Sequence, residues 1–242
     1  MATVTEHYEG HLAPVYLWMA GGAQAALEKG EQDLASFAPA GTPAALAVDL
    51  GCGFGMHAIP MARRGWHVVA VDTSRTLLDE LARLGPALPI RPVLDDLLNF
   101  RRHAADPADL IVCLGDTLTH LGSRADVQAL LAQVSAGLSA GGSFVARWRD
   151  YRQLPQGEAR FIPVRADGEG ILTCFLEEQG EHVLVHDVLH ERQDGSWKLR
   201  VSSYRKLRLD PQWLVEAGAQ AGLACQLSTA GGMLQLQARR AP

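Results

Sequence analysis

At 242 residues, with 48% hydrophobic and 20% charged positions, the chain can bury a full core, which excludes a fibrous or disordered protein. A net charge of −5 carries no basic excess, so neither nucleic acid nor an anionic membrane is expected as a partner. The opening MATVTEHYEG has no basic stretch followed by an apolar one, no apolar run nears the roughly 20 residues of a membrane helix, and the four cysteines (Cys52, Cys113, Cys174, Cys225) form no CxxC pair. A cytoplasmic protein with reduced cysteines and no metal site is expected.

The predicted elements alternate. Ala44 to Leu50 is a short apolar run ending in glycines, the pattern of a buried parallel strand entering a turn. MHAIPMARRG follows as a helix closed by Gly65, with Pro60 shifting or kinking its start, and His67 to Asp72 is the next strand. A helix over 74–84, strands over 90–94 and 109–114, a helix over 126–138 and, after AGG, a strand over 143–148 continue the βα rhythm. From 160 to 209 the texture changes to short β-branched and aromatic runs broken by DGEG, EQGE and QDGS, which predicts antiparallel strands. DPQWLVEAGAQAGL reads as an Asp-capped helix and 232–239 as a closing strand.

The sequence VDLGCGFGMHA sets Gly51, Gly53 and Gly55 between a strand and a helix, where absent side chains let backbone approach a ligand. Asp72 stands at the end of the next strand, 19 residues after Gly53, where a carboxylate accepts ribose hydroxyls. A plain glycine turn packing helix on strand is the alternative. A dinucleotide loop needs glycine where Met56 stands, which disfavours a nicotinamide oxidoreductase.

The run Asp49-x-Gly51-x-Gly53-x-Gly55 resembles the motif of class I S-adenosylmethionine-dependent methyltransferases. The resemblance implies a Rossmann-like, doubly wound, mostly parallel seven-stranded sheet, here with an antiparallel elaboration, and S-adenosylmethionine as cofactor. It places Asp49 and the glycines at the cofactor's methionine part and Asp72 at its ribose. LDDLLNF looks like a further family motif, in which Asp96 meets the adenine amino group and Leu97 lends backbone contact; a helix cap is the other reading of Asp96.

After the strand over 109–114, Asp116 and His120 stand at i and i+4, so a helical turn would aim a carboxylate and an imidazole at one pocket to orient an amine and take its proton. A capping Asp116 is the bland alternative. The stretch resembles glycine and sarcosine N-methyltransferases, which read close to CLGNSFAHL; Leu114, Asp116 and His120 match, with aspartate in place of the family's asparagine. The same resemblance points to Arg149, beside Arg147 and Arg152, for an acceptor carboxylate, and to Tyr204 in the pocket, where a half-buried strand tyrosine is the other reading. Tyr8, Tyr16 and Trp18 precede the sheet, as a cofactor lid or as packing.

The expected layout is one domain: residues 1–43 as a helical lid, 44–150 as the cofactor core, 151–209 as antiparallel strands capping the acceptor or forming an interface, and 210–242 as a closing helix and strand. The expected reaction is methyl transfer to a small acceptor, most simply an amine, by in-line displacement. A small-molecule O-methyltransferase and a non-catalytic cofactor-binding module are the alternatives, and a homo-oligomer is compatible with the sequence. His182, His186 and His190 lie on a predicted strand, where residues four apart stand roughly 13 Å from each other and cannot share an ion.

Overall fold

A computed structural model describes residues 2–38, 40–41 and 45–240. The N-terminal segment runs through α1 (Val4–His7), α2 (Tyr16–Met19) and α3 (Ala23–Leu34), with tight turns between the first two. A reciprocal cap starts α1: Thr3 Oγ1 accepts from Glu6 N at 3.2 Å, and Glu6 Oε2 accepts from Thr3 N at 2.9 Å.

Then β1 (Leu46–Leu50), α4 (Ala58–Arg63), β2 (His67–Asp72), α5 (Arg75–Leu84), β3 (Ile90–Leu94), β4 (Ala108–Cys113), α6 (Arg124–Gly137) and β5 (Leu138–Trp148) wind the sheet. A meander of β6 (Phe161–Ala166), β7 (Gly170–Gln179), β8 (His182–Gln193) and β9 (Ser196–Leu207) precedes α7 (Pro211–Gln220), β10 (Leu223–Ala230) and β11 (Met233–Arg240). The main sheet has the order β10-β11-β5-β4-β1-β2-β3, and only β11 runs against the rest.

Strand alternation divides the core between the two faces of this sheet. Val48, Leu50, Val69 and Val71 meet Leu130, Leu131 and Val134 of α6 and Leu214 of α7. On the opposite face Ala47, Val68 and Ala70 meet Leu34 of α3, Ile59 and Met61 of α4, and Leu78 and Leu81 of α5. The strand order reverses between β1 and β4, so the loops leaving their carboxyl ends diverge and open a crevice there. The meander, ordered β6-β7-β8-β9, turns one face to the N-terminal segment, with Leu172 and Leu189 packed on Leu12. At its last hairpin Asp194 and Gly195 both hold positive φ (50° and 76°), as a two-residue primed turn demands.

Several boundaries differ from expectation. Strand β1 starts at Leu46; Ala44 lies outside the described residues. Helix α4 is shorter than the apolar spacing implies, because Pro60 needs a place in the first turn, where its missing N–H leaves no bond unmade. Strand β5 extends back to Leu138, with AGG absorbed in a register jump: Ala108 faces Leu138, whereas Leu110 faces Ser143. Strand β10 was not anticipated; as an edge strand with mostly polar or small residues, it shows little apolar alternation.

Candidate active site

The crevice begins where β1 hands over to the glycine loop. Gly51 N and Cys52 N both donate to Val71 O, at 2.8 and 3.1 Å, fastening the loop to the end of β2. Gly51, Gly53 and Gly55 all have positive φ. A Cβ on Gly51 would stand 2.3 Å from Thr117 Cγ2 and one on Gly55 2.2 Å from Leu81 Cδ1, so these two glycines permit the turn and its packing. At Gly53 the nearest atom, Leu77 Cδ1, is 3.9 Å away, and the missing side chain leaves open cavity wall.

Asp72 fixes the loop as well as facing the cavity. Its Oδ2 accepts from Gly53 N at 2.7 Å and its Oδ1 from Ser74 N at 2.9 Å, leaving each oxygen a further lone pair for a hydroxyl. Burial raises its carboxyl above the usual value, against those backbone bonds. Asp49, on β1 and 1% exposed, has an Oδ2 without a hydrogen-bond partner among the described residues, and burial pushes its carboxyl up to about 6.

One cavity is lined by Tyr8, Tyr16, Gly51, Gly53, Asp72, Asp96, Leu97, Leu114 and His120 of the residues singled out by sequence. Asp49, Asp116, Arg149 and Tyr204 stand outside that lining. Asp96 takes the capping place, its Oδ1 accepting from Leu98 N at 2.8 Å ahead of the turn over 97–102, and it also forms part of the cavity wall. Neighbouring Asp95 is engaged by Asn99 at 2.8 Å and His103 at 2.7 Å, with its carboxyl pulled down to about 2 by those bonds.

The shared helical face expected for Asp116 and His120 is not what forms. Residues 117–120 make a 3-10 turn, and Asp116 ahead of it takes a left-handed φ of 75°. That geometry turns the carboxylate away from the cavity. Asp116 Oδ2 accepts from Lys206 Nζ at 2.5 Å and Tyr151 Oη at 2.6 Å; Oδ1 accepts from Arg149 N at 2.9 Å and Thr119 Oγ1 at 3.1 Å. Burial alone would raise this carboxyl, but the Lys206 ammonium and the donated bonds hold it below the usual range. His120 keeps its place in the cavity wall, with ring centroids 5.3 Å from Tyr8 and 5.7 Å from Tyr204. Its Nε2 is buried without a hydrogen-bond partner among the described residues, and burial, with the Lys206 charge second, pushes the imidazole down to about 3.

The Arg149 side chain is 64% exposed, its Nε 4.0 Å from Asp116 Oδ2, so its backbone N–H makes the closer contact with the site. Arg147 is buried on Asp33 at 2.8 Å and Arg152 pairs with Asp150, so neither neighbour competes for an acceptor. Tyr204 is buried and stacks on His7 at 4.0 Å between centroids, bearing on the cavity through His120.

The N-terminal segment roofs the cavity with Val4, Thr5, Tyr8 and Tyr16. Burial pushes the Tyr16 hydroxyl up to about 12 and that of Tyr8 well above its usual range, so both stay protonated. Sequence reasoning missed what holds this roof: His7 Nε2 lies 2.9 Å from Asp187 Oδ2 and Nδ1 2.8 Å from Ser202 Oγ. It also missed Lys206, Tyr151 and His57, the last in the cavity wall and 3.3 Å from Asp33. The Thr3-x-x-Glu6 cap was a readable sign of an ordered segment; nothing local marks Lys206. The three spaced histidines do lie on β8, where His186 meets Ser203 at 2.7 Å and Glu177 at 3.3 Å, and His182 meets Gly122 O at 3.3 Å.

Residues 47–142 match the family model described as a methyltransferase domain. Over that stretch the chain carries a methyltransferase domain. Over 108 residues it is 31% identical to glycine/sarcosine N-methyltransferase of Aphanothece halophytica, a match covering 43% of this chain and 40% of that protein. The match to glycine/sarcosine N-methyltransferase of Parasynechococcus marenigrum (strain WH8102), 29% identical, covers 56% of this chain and 48% of the relative, so the methyltransferase domain spans less than half the length of these curated relatives. The fold is shared across nearly the whole chain with the CcbJ methyltransferase from Streptomyces caelestis, at a TM-score of 0.78, 20% identity and coverage of 97% of this chain and 98% of that one. S-adenosylmethionine is the cofactor of class I methyltransferase domains, and the lining fits it: spare lone pairs on Asp72, in the cavity wall beside Gly53, suit a diol.

Proposed function

We propose that the protein transfers the methyl group of S-adenosylmethionine to the nitrogen of a small amine. The observation that carries this reading is the continuity of one cavity from Gly53 and Asp72 to His120, whose buried Nε2 has no hydrogen-bond partner among the described residues. When bound, S-adenosylmethionine would supply a methyl group already activated on sulfur for in-line transfer to a neutral amine nitrogen, and the ammonium so formed would lose its proton to water. His120, uncharged at neutral pH, accepts a hydrogen bond from the amine N–H and turns the nitrogen lone pair toward the methyl group. Tyr8 and Tyr16 exclude water from above, so the lid expected over 1–43 narrows to the segment carrying Val4, Thr5, Tyr8 and Tyr16, while α3 packs through Leu34 into the core of the sheet. Asp116 serves by holding the turn that carries His120, since all its bonding positions toward the site are taken. Arg149, at the exposed rim, is placed to receive an anionic group of the acceptor.

An imidazole held at about 3 is a poor base for a hydroxyl, which favours amine over alcohol acceptors. The names of the curated relatives suggest glycine and sarcosine as the first acceptors to try. Among the described residues no helix is long and apolar enough to cross a membrane, which accords with a small diffusible acceptor.

Calorimetric titration with S-adenosylmethionine, its demethylated product and NAD tests the cofactor half of the reading, and a methyl-transfer screen over small amines, amino acids and amino sugars tests the rest. Tight binding of the first two ligands and turnover with an amine support it. Binding of NAD in their place would overturn it, and binding without turnover on any acceptor would leave a cofactor-binding module.

A further inference from the structure

We infer that Lys206 is a positioning residue for this reaction: paired with Asp116, it holds the turn that sets His120 in the cavity wall. The inference rests on the amine methyltransferase reading, but its main test does not require turnover. Lys206 lies on β9, 7% exposed, with Nζ 2.5 Å from Asp116 Oδ2 and flanked by the rings of Tyr204 at 5.7 Å and Tyr151 at 5.8 Å. The ammonium is therefore confined among aromatic faces and one carboxylate, with its stem taken out of water.

Asp116 needs such a partner for two reasons. A non-glycine residue at a φ of 75° is strained and persists only where its surroundings over-determine it. Here the bonds from Lys206, Tyr151, Thr119 and Arg149 N supply that restraint, and Asp116 N adds a bond to Arg147 O at 3.3 Å. Second, a carboxylate 2% exposed costs several kcal/mol to desolvate unless a cation pairs with it. The charge that Asp116 brings into this buried turn is matched by Lys206, from a strand 90 residues away.

The pair also sets the field at His120. That imidazole is faced by Tyr8 and His7 from the N-terminal segment, by Tyr204 and Lys206 from β9, and by Asp116 from its own turn. Burial disfavours the imidazolium most and the Lys206 ammonium repels it further; the Asp116 carboxylate pulls the other way but is outweighed, so the ring stays a hydrogen-bond acceptor.

The test compares wild type with Lys206→Met, Asp116→Asn and the double variant, following His120 by NMR after assigning its ring signals through their loss in His120→Gln. Wild type should keep the neutral imidazole pattern from about pH 8 to about pH 5, whereas Lys206→Met should show protonation entering that window. Asp116→Asn/Lys206→Met, with both charges removed, should melt closer to wild type than either single variant. If Lys206→Met does not fold, comparing Asp116→Asn with the double variant isolates the same ammonium, and its removal should again raise the pH at which His120 titrates. With an acceptor in hand, Lys206→Met should lower kcat while the cofactor Kd stays within about twofold. An unchanged His120 titration on loss of Lys206, or single-variant melting losses that simply add in the double variant, overturns the inference. Failure to bind S-adenosylmethionine would instead count against the methyltransferase reading and leave the His120 titration as a separate result.

Discussion

Ser74 Oγ donates to Glu9 Oε2 at 2.5 Å, while the backbone N–H of the same serine donates to Asp72 Oδ1 at 2.9 Å. One residue thus joins the N-terminal roof to the carboxylate that faces the cavity. Thr76 adds a second attachment, its Oγ1 2.7 Å from Glu9 Oε1.

Loosening this latch should shorten the stay of the cofactor. Glu9→Ala removes both attachments, and stopped-flow release of bound S-adenosylmethionine should be about tenfold faster with little change in its rate of entry. Release at the wild-type rate would show that the other attachments, such as His7 on Asp187 and Arg200 on Gly10 O, suffice to hold the roof. The latch also has an acid limit. Burial pushes the Glu9 carboxyl up, but the bonds from Ser74 and Thr76 outweigh it and leave it below 4.5, so its stabilising effect is present above that pH and fades as pH falls through the lowered value.

Asp72→Ala and Arg149→Ala should separate the two ends of the site. Loss of the carboxylate takes away the charged hydrogen bond to Gly53 N and the lone pairs proposed to receive the ribose hydroxyls, so cofactor Kd should rise about 10- to 100-fold. Arg149→Ala should leave that Kd alone and raise the acceptor KM. Equal effects of both substitutions on cofactor binding would refute this division.

The glycines make a steric prediction. Gly51→Ala brings a Cβ to 2.3 Å from Thr117 Cγ2 at a φ of 73°, so it should lower the melting temperature and distort the turn carrying His120. Gly53→Ala meets only open cavity at a φ of 53°, and should cost about 1–2 kcal/mol of stability while impairing cofactor binding more than Gly51→Ala does per degree of melting lost. Chemical denaturation paired with calorimetry reads both.

The pH dependence follows from His120. Its native value of about 3 lies below the ordinary 6.5, so the unfolded chain takes up a proton below about 6.5 that the native one refuses, and stability falls as pH drops through that range. His120→Gln should therefore lose less melting temperature than wild type between about pH 7 and about pH 5. The same variant should bind cofactor normally and turn over about 100-fold more slowly, and wild-type kcat should show no histidine inflection between about pH 5 and about pH 8.

The parallel half of the fold was legible because buried strands leave unbroken apolar runs such as LAVDL and HVVAVD, and because glycine loop and acid stand at fixed places on them. Strand β10 was not, since its side chains scarcely alternate in polarity. Asp72, Gly53 and His120 fell where spacing put them, because each is fixed by the end of its own strand. The helical pairing of Asp116 with His120 failed on a local point: a left-handed residue at 116 starts a tighter turn, and i+4 spacing then no longer defines a face. Lys206 and His7 were illegible for a different reason. Their partners Asp116, Asp187 and Ser202 are brought near by the meander's docking, which no short-range pattern records.

The seating of His7 on Asp187 and Ser202 has a consequence for how the protein is made. The first helix of the chain cannot settle until almost the last strands of the meander have been synthesised and paired, so its native contacts carry some of the largest sequence separations in the molecule. Until then the βα core can form but its ligand crevice stays unroofed, and competence to enclose a cofactor is among the last properties the folding chain acquires.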